Sequence, residues 1–430
     1  MTKLTLISHG FISLHTLSQL TSGQLVGIQY LALSQNLTSF PEQILSLADS
    51  LEILDLSNNQ LSSLPDSLVQ LNKLKIIFLS NNLFEVLPDV LGQCANLEMI
   101  GIKSNKISYI PAQSLPIRLR WLILTDNQIT TLPDSLGERP RLQKLMLAGN
   151  RLTALPQTLA QAHNLELLRI SANDLTEFPD HILNLPKLAW LAFSGNPFSQ
   201  SDISIKAVPE IPSSHFTLQN QLGQGASGVI STATWNTLQT NFPKDIAVKK
   251  FKGGVTSDGY PKDELDACLK VGNHPNLVQS LAQVNEDNFS ALIMTLIPSH
   301  YNNLGNPPSF DSCTRDTFPT GFCLSIDHIE KIVNQMKAVF EHLHTNQVAH
   351  GDIYTHNTLF DDDANILFGD FGAASMYHML NESQQQKLKQ LEQRAVHYFI
   401  DDLLAVCRKE DKQDKLYQHL KSETAYLSMN

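Results

Sequence analysis

The sequence predicts an α/β solenoid followed by a separate α+β domain, and three observations carry that prediction. Asparagine recurs at Asn36, Asn59, Asn82, Asn105, Asn127, Asn150, Asn173 and Asn196, evenly spaced but for one slightly shorter step. The periodicity stops between Ser199 and Ser214, where serine and proline take over, ending in Ile-Pro-Ser-Ser. Beyond it lie a glycine string, a short strand ending in lysine and two amphipathic helical stretches. At 430 residues the chain is too long for one compact core. The expected division is 1–198 for the repeats, 199–215 for a linker and 216–430 for the second domain.

Around each asparagine sits L-x-x-L-x-L-x-x-N, as in Leu51, Leu54, Leu56 and Asn59. Most copies continue with Leu-Pro, seen at Leu64-Pro65, Leu87-Pro88, Leu132-Pro133 and Leu155-Pro156. This is the leucine-rich repeat signature. Leucines point inward from a short strand, and the asparagine amide bonds backbone where the chain bends back. One copy cannot bury its own apolar face, whereas stacked copies share a continuous core. Leu4, Leu6, His9, Phe11 and Leu14 mimic the spacing once more and predict a degenerate capping copy. The Leu-Pro variety resembles intracellular Ras-group repeat proteins rather than secreted, disulfide-capped ones.

Two residues after the first leucine of each copy, one column reads Tyr30, Ile53, Ile76, Met99, Trp121, Lys144, Leu167 and Trp190. Phe78, Ile123 and Met146 lie two residues further on. These strand positions face away from the leucine core, toward the concave side. An apolar stripe there predicts a docking surface for a protein partner. The bland alternative is that scattered apolar residues on repeat strands are common and do nothing. The second domain is the other candidate occupant.

The second domain is justified in chain order. Gly223, Gly225 and Gly228 form G-x-G-x-x-G, with Leu222 before it and Ile230 two residues beyond. Ile246-Ala247-Val248-Lys249 supplies a strand lysine, and Glu264 sits on the helical stretch that follows. His350-Gly351-Asp352 leads to Asn357, and Asp370-Phe371-Gly372 closes the set. The glycine triplet alone is an ordinary turn more often than not; five parts in this order are specific. Over residues 216 to 430 the chain resembles the protein-kinase superfamily, joined to repeats much as in soluble bacterial repeat-kinases. The resemblance implies a two-lobed fold using ATP and Mg²⁺.

It also implies residue roles. The glycine loop closes backbone N–H groups over phosphates, where a Cβ would block the approach. Lys249 neutralises phosphate charge if a helix carboxylate fixes its ammonium; Glu264 is placed for that, and Asp263 and Asp266 are close enough to serve instead. Asp352 is the expected catalytic base or hydroxyl-orienting group, and Asn357 and Asp370 are the expected metal ligands. Thr358-Leu359-Phe360 and Ile366-Leu367-Phe368 read as a hairpin between those ligands. Ile230, Ala247, Met294 and Leu359 line the adenine slot, with hinge backbone from Thr295 to Ile297 that includes Leu296. Asp361-Asp362-Asp363, at the hairpin tip, reads as a solvated turn.

Departures from the family pattern are as informative. Gly351 stands where most protein kinases have arginine before the aspartate. That arginine usually pairs with a phosphorylated loop, so its absence implies activity that does not wait for phosphorylation. Tyr354 replaces the lysine of serine/threonine kinases, and His356 occupies the place of the arginine of tyrosine kinases. Loss of one electrostatic stabiliser costs about 10²–10³ in rate. No Ala-Pro-Glu string follows Asp370, and Ser383 to Cys407 reads as a helix with Leu388, Leu391, Ala395, Phe399, Leu403 and Val406 on one face. The helical lobe is therefore expected to be reduced. A second helix is marked by Ile329, Ile332, Val333, Met336, Phe340 and Leu343. The reading is a serine/threonine protein kinase. Two rivals stay open: a nucleotide-sensing pseudokinase scaffold, and a small-molecule phosphotransferase like those that share the His-Gly-Asp string.

Composition bounds the setting. A net charge of −11 argues against nucleic acid as a principal partner. Five cysteines spread over both halves suit a reducing compartment. Ser8, His9 and Ser13 interrupt the N-terminal apolar run, so no signal peptide is expected. No run reaches the ~20 apolar residues of a membrane span, and a cytoplasmic location is expected.

Overall fold

The computed structural model describes residues 15–200, 208–225, 227–236, 241–287 and 289–428. The predicted capping copy at Leu4 to Leu14 lies outside the described residues. Contacts divide the chain into two units, Met1–Leu188 with Asn196–Phe198, and Ala189–Gly195 with Ser199–Asn430.

In the first unit each repeat contributes one three-residue strand: β1 Tyr30–Ala32, β2 Ile53–Asp55, β3 Ile76–Phe78, β4 Met99–Gly101, β5 Trp121–Ile123, β6 Lys144–Met146 and β7 Leu167–Arg169. Neighbours pair in parallel and strictly in register, Tyr30 with Ile53, Ile53 with Ile76, and onward to Lys144 with Leu167. Leu51, Leu54, Leu56 and Leu61 have no exposed surface, and their counterparts in later copies repeat the pattern.

The asparagine ladder explains the period. Asn59 donates from Nδ2 to Leu33 of the preceding copy at 2.8 Å and to Leu56 of its own at 2.9 Å, while its Oδ1 accepts from Leu37. The cross-copy bond recurs from Asn82, Asn105, Asn127, Asn150 and Asn173 at 2.9–3.1 Å. A buried amide thus satisfies carbonyls that the bend would otherwise leave unpaired. Asn36, first in the series, is exposed and left-handed instead. The residue before the ladder asparagine takes positive φ in Asn58, Asn81, Ser104, Asp126, Gly149 and Ala172.

The Leu-Pro step has an equally local cause. Pro65, Pro111, Pro133, Pro156 and Pro179 each precede a 3₁₀ turn, with φ between −60° and −79°. Proline holds that φ and needs no N–H there. Two short α-helices, α1 Leu17–Thr21 and α2 Val90–Gln93, complete the first unit.

Burial is uneven along the column in which a docking surface was expected. Ile76, Met99, Trp121 and Leu167 are buried, and Lys144 is only 1% exposed. Trp121 and Lys144 are in-register neighbours, and the Lys144 ammonium lies 4.3 Å from the centre of the Trp121 ring. Tyr30, Ile53 and Phe78 keep partial exposure. Trp190, read from sequence as solvent-facing, lies in the second unit and is 1% exposed.

The second unit starts with β8, Trp190–Ala192. Its upper lobe is a five-stranded antiparallel sheet of β9 Phe216–Gln224, β10 Gly228–Trp235, β11 Asp245–Phe251, β12 Ser280–Glu286 and β13 Phe289–Thr295, ordered β12-β13-β11-β10-β9. Ile246, Val248, Ala282, Val284, Ala291 and Ile293 fill one of its faces. Helix α3, Pro261–Val271, buries Leu265 and Leu269 against Phe251 and Leu292.

The lower lobe carries β14 Asn302–Asn303, β15 Val348–Ala349, the hairpin strands β16 Thr358–Phe360 and β17 Ile366–Phe368, and β18 Ser375–Met376. Helix α4, Ile326–Thr345, buries Ile329, Ile332, Val333, Met336, Phe340 and Leu343, the face read from sequence. Asn381 and Gln384 form a capping box that starts α5, Glu382–Ala405, only a few residues after β18. Helix α6, Lys415–Thr424, follows. The protein is therefore a repeat solenoid followed by a two-lobed kinase fold with a short helical lobe. Among the described residues, no helix is long and apolar enough to cross a membrane.

Candidate active site

A cleft of about 660 Å³ opens between the five-stranded sheet and the β16–β17 hairpin. Pairing of β10 with β11 puts Ile230 opposite Lys249, so the glycine turn hangs over the lysine. Leu222, Gly223, Gly225 and Gly228 wall the cleft from above. A Cβ on Gly228 would sit 2.5 Å from the carbonyl oxygen of Lys250, so only glycine fits this close approach of strand to strand. Ile230, Ala247, Met294, Leu296 and Leu359 supply the apolar walls expected from sequence.

Lys249 and Glu264 form a buried ion pair across β11 and α3. Burial works against the ammonium, but Glu264 and Asp370 outweigh it, and the Lys249 pKa is held above the ordinary lysine value. Of the three carboxylates that sequence left open, Glu264 makes the pair; Asp263 and Asp266 do not wall the cleft. Asp370 takes a left-handed conformation, φ 59° and ψ 73°, at the start of a 3₁₀ turn over Phe371–Ala373. Asn357 donates from Nδ2 to the Asp352 carbonyl and to its Oδ2, both at 3.0 Å. That occupies the amide nitrogen and leaves Asn357 Oδ1 as the atom able to ligate a cation.

Asn357 and Asp370 both wall the cleft. Two hard oxygen donors suit a magnesium ion, which takes one or two protein ligands and completes its shell with phosphate and water. No group of three His, Cys, Asp or Glu residues among the described residues offers a dedicated metal cage. Asp352 is half-buried and joined to the site through Asn357 rather than by walling the cleft.

The departures in the catalytic loop have structural causes. Gly351 has φ 71°, and a Cβ there would meet the carbonyl oxygens of Ala373 and Leu191, each at 2.7 Å. An arginine cannot be built on that backbone without moving both. The Gly351 amide donates to Glu392 Oε1 on α5 at 2.7 Å, and the other oxygen of Glu392 faces His344 Nε2 at 2.8 Å. His350 is fully buried, with its ring 4.3 Å from Phe368 and 4.9 Å from Phe371, and burial depresses its pKa. Tyr354 turns away from the cleft and is 3% exposed. His356 does wall the cleft.

The loop before α4, for which sequence supplied no role, anchors this histidine. Asp316 accepts from His356 Nδ1 at 2.6 Å, from the His356 amide at 3.0 Å and from the Thr355 hydroxyl at 2.6 Å. Burial opposes the charge on His356, yet Asp316, Asp352 and Asp370 outweigh it and raise its pKa. Sequence reasoning missed Asp316 and Glu392 because nothing in a loop or a helix face marks one carboxylate as facing a distant loop. It also missed Cys268 and Asp258, which wall the cleft.

The fold of the second unit is that of a two-lobed kinase domain. Residues 216–397 match the model of the protein kinase domain, and residues 49–107, 117–175 and 140–198 match that of the leucine rich repeat. The chain thus joins leucine-rich repeats to a protein kinase domain. It is similar to fibroblast growth factor receptor homolog 1 of Drosophila melanogaster, 25% identical over 41% of this chain and 25% of that one. A probable myosin light chain kinase of Dictyostelium discoideum is 24% identical over 38% of this chain and 48% of its own. Mitogen-activated protein kinase 15 of Caenorhabditis elegans is 24% identical over 41% and 35%. The chain spans less than half the length of these relatives. A solved leucine-rich repeat protein of Leptospira interrogans is 25% identical over 46% of this chain and 66% of that one, with a TM-score of 0.29, too slight a likeness to bear on the fold.

Proposed function

We propose that the protein is an ATP- and Mg²⁺-dependent kinase of protein serine and threonine hydroxyls, with its repeats recruiting a protein partner. The observation that carries this is the joint presence of the Lys249–Glu264 pair, left-handed Asp370 and the Asn357–Asp352 bond around one cleft. The nucleotide supplies the transferable phosphoryl group, and the metal supplies charge neutralisation of its oxygens. Lys249 binds phosphate oxygens. Asn357 and Asp370 hold the cation, and the glycine turn excludes water. Asp352 orients the acceptor hydroxyl and takes its proton at a carboxylate oxygen. His356, held by Asp316, is the cationic group that the catalytic loop offers in place of the absent lysine and arginine. The accessible part of the concave column, Tyr30, Ile53 and Phe78, is where a partner would bind. Free cysteines accord with a reducing, cytoplasmic setting.

One observation favours a second reading. Tyr354, at the position of the γ-phosphate lysine, is buried away from the cleft, which suits a scaffold that binds nucleotide without transfer. Incubating the purified protein with labelled ATP-Mg²⁺ and generic protein substrates, beside Asp352→Ala, decides between them. Label on protein that vanishes in the variant supports the kinase. Nucleotide binding without label supports the scaffold, and label on small alcohols alone would replace the protein substrate.

A further inference from the structure

The segment Ala189–Gly195 carries the sequence of the last repeat strand, yet it packs as part of the kinase unit. Its contacts there converge on the catalytic loop. The Trp190 indole N–H donates to the Ile353 carbonyl at 3.1 Å. The indole stacks on Tyr354, with centroids 4.6 Å apart and planes 7° from parallel, and on Tyr398 of α5 at 5.1 Å and 21°. The Leu191 carbonyl lies against the α-carbon of Gly351. The Phe193 and Ser194 amides both donate to the Ser375 hydroxyl oxygen, at 2.9 and 3.2 Å. Gly351 and Ile353 flank Asp352 on either side, and Ser375 follows Asp370 closely in the chain.

We infer that Ala189–Gly195 is a built-in positioning element of the kinase site, with Trp190 as the residue that fixes the loop bearing Asp352. The inference rests on the kinase reading above. The physical case is that a loop backbone is held only by what bonds it. On one side the Gly351 amide is tied to Glu392. On the other, the Ile353 carbonyl is tied to the indole. A ring clamped by two aromatic neighbours loses little further freedom when it donates that bond. Asp352 is thereby held between two anchored neighbours while Lys249, Glu264, Asn357 and Asp370 are already assembled. The segment therefore supports the site rather than blocking it. Trp190 touches no reacting atom and acts through Asp352.

The test uses the full chain. Trp190→Phe keeps a stacking ring and removes the N–H, Trp190→Ala removes both, and Ser375→Ala removes the acceptor for the Phe193 and Ser194 amides. The expected result for Trp190→Phe is a kcat about tenfold lower, with the ATP-Mg²⁺ dissociation constant within about twofold and the melting temperature nearly unchanged. Trp190→Ala should lose about a hundredfold, and Ser375→Ala should fall in the same direction by less. Amide hydrogen exchange over residues 351–357 should quicken in Trp190→Phe while exchange within Ile326–Thr345 stays as in wild type. That arm needs no turnover, so a wild type that binds nucleotide without transferring phosphate overturns the kinase reading and still leaves the positioning claim tested. Unchanged kcat and exchange in Trp190→Phe would overturn the inference. So would a parallel loss of kcat, nucleotide affinity and melting temperature, which marks plain structural support, or a rise in kcat, which marks an obstruction.

Discussion

The amide of Gly351 donates to the carboxylate of Glu392 at 2.7 Å, which ties the residue before Asp352 to the helix that follows the Asp370 segment. Glu392 in turn faces His344 of the preceding helix, so the loop is held by two helices at once. Where the family pattern has an arginine, this chain has a backbone shape that only glycine adopts without strain.

Gly351→Ala should therefore cost about 2 kcal/mol or more, from the left-handed backbone and the two carbonyl oxygens in the path of the new Cβ. Gly351→Arg, which restores the commoner kinase residue, should lower both stability and turnover. Thermal melting and phosphotransfer rates check this. An arginine variant as stable and active as wild type would show that the backbone argument is wrong. Because no arginine precedes Asp352 to pair with a loop phosphate, phosphatase-treated protein should retain its rate, and a large loss restored by rephosphorylation would count against that reading.

Lys249→Met should weaken ATP-Mg²⁺ binding at least tenfold and also destabilise the domain, because it leaves Glu264 buried without its partner. Breaking a buried pair this way costs about 3–5 kcal/mol. Adding Glu264→Gln should recover much of the stability and none of the nucleotide affinity. Asp370→Asn should remove the metal dependence of binding. Calorimetric titration and melting curves separate the two effects; full nucleotide affinity in the double variant would remove Lys249 from the site.

The Asp263 carboxyl is raised to about 6, by burial first and by Asp266 second. A folded-state pKa above the unfolded value means that the native protein binds the proton more tightly. The carboxyl then costs little at pH 4 and below, opposes folding increasingly between pH 4 and 6, and does so at a nearly constant level above 6. Asp263→Asn should raise stability by about 1–2 kcal/mol at pH 8 and leave it nearly unchanged at pH 4. Urea melts at the two pH values provide the check, and an equal effect at both would refute the burial argument.

Asn150 bonds the carbonyls of Leu124 and Leu147 and accepts from the Ile129 amide. Asn150→Ala strands these groups inside the solenoid, and each buried unpaired group costs about 1–3 kcal/mol. Urea unfolding of the repeats should show a loss at least as large as one such group. A variant as stable as wild type would mean that water or relaxation replaces the ladder at little cost.

Much of this protein was legible in its sequence because the deciding interactions are local or strictly periodic. Leucine spacing, the asparagine ladder and the Leu-Pro step each act within one repeat or between adjacent copies, so the solenoid can be read one copy at a time. The cleft was legible for a related reason. Glycines that must let strands approach, a lysine on a paired strand and a helix carboxylate occur in an order set by the chain. The apolar face of Ile326–Thr345 and the early start of Glu382–Ala405 followed from helical period and capping alone.

What only the tertiary structure decided are the contacts of groups far apart in sequence. Whether a column of apolar strand residues faces water depends on what covers it, and Trp190 is covered by Tyr354 and Tyr398, from the far end of the chain. The choice of Glu264 over Asp263 and Asp266 was settled by helix phase against Lys249. Asp316 and Glu392 carry no local signal because an aspartate in a loop and a glutamate on a helix are ordinary surface residues until another segment folds onto them. Gly351 showed in the sequence as a departure from pattern, and the structure supplied its reason: a positive φ and two carbonyl oxygens at 2.7 Å, quantities that exist only once the chain has packed.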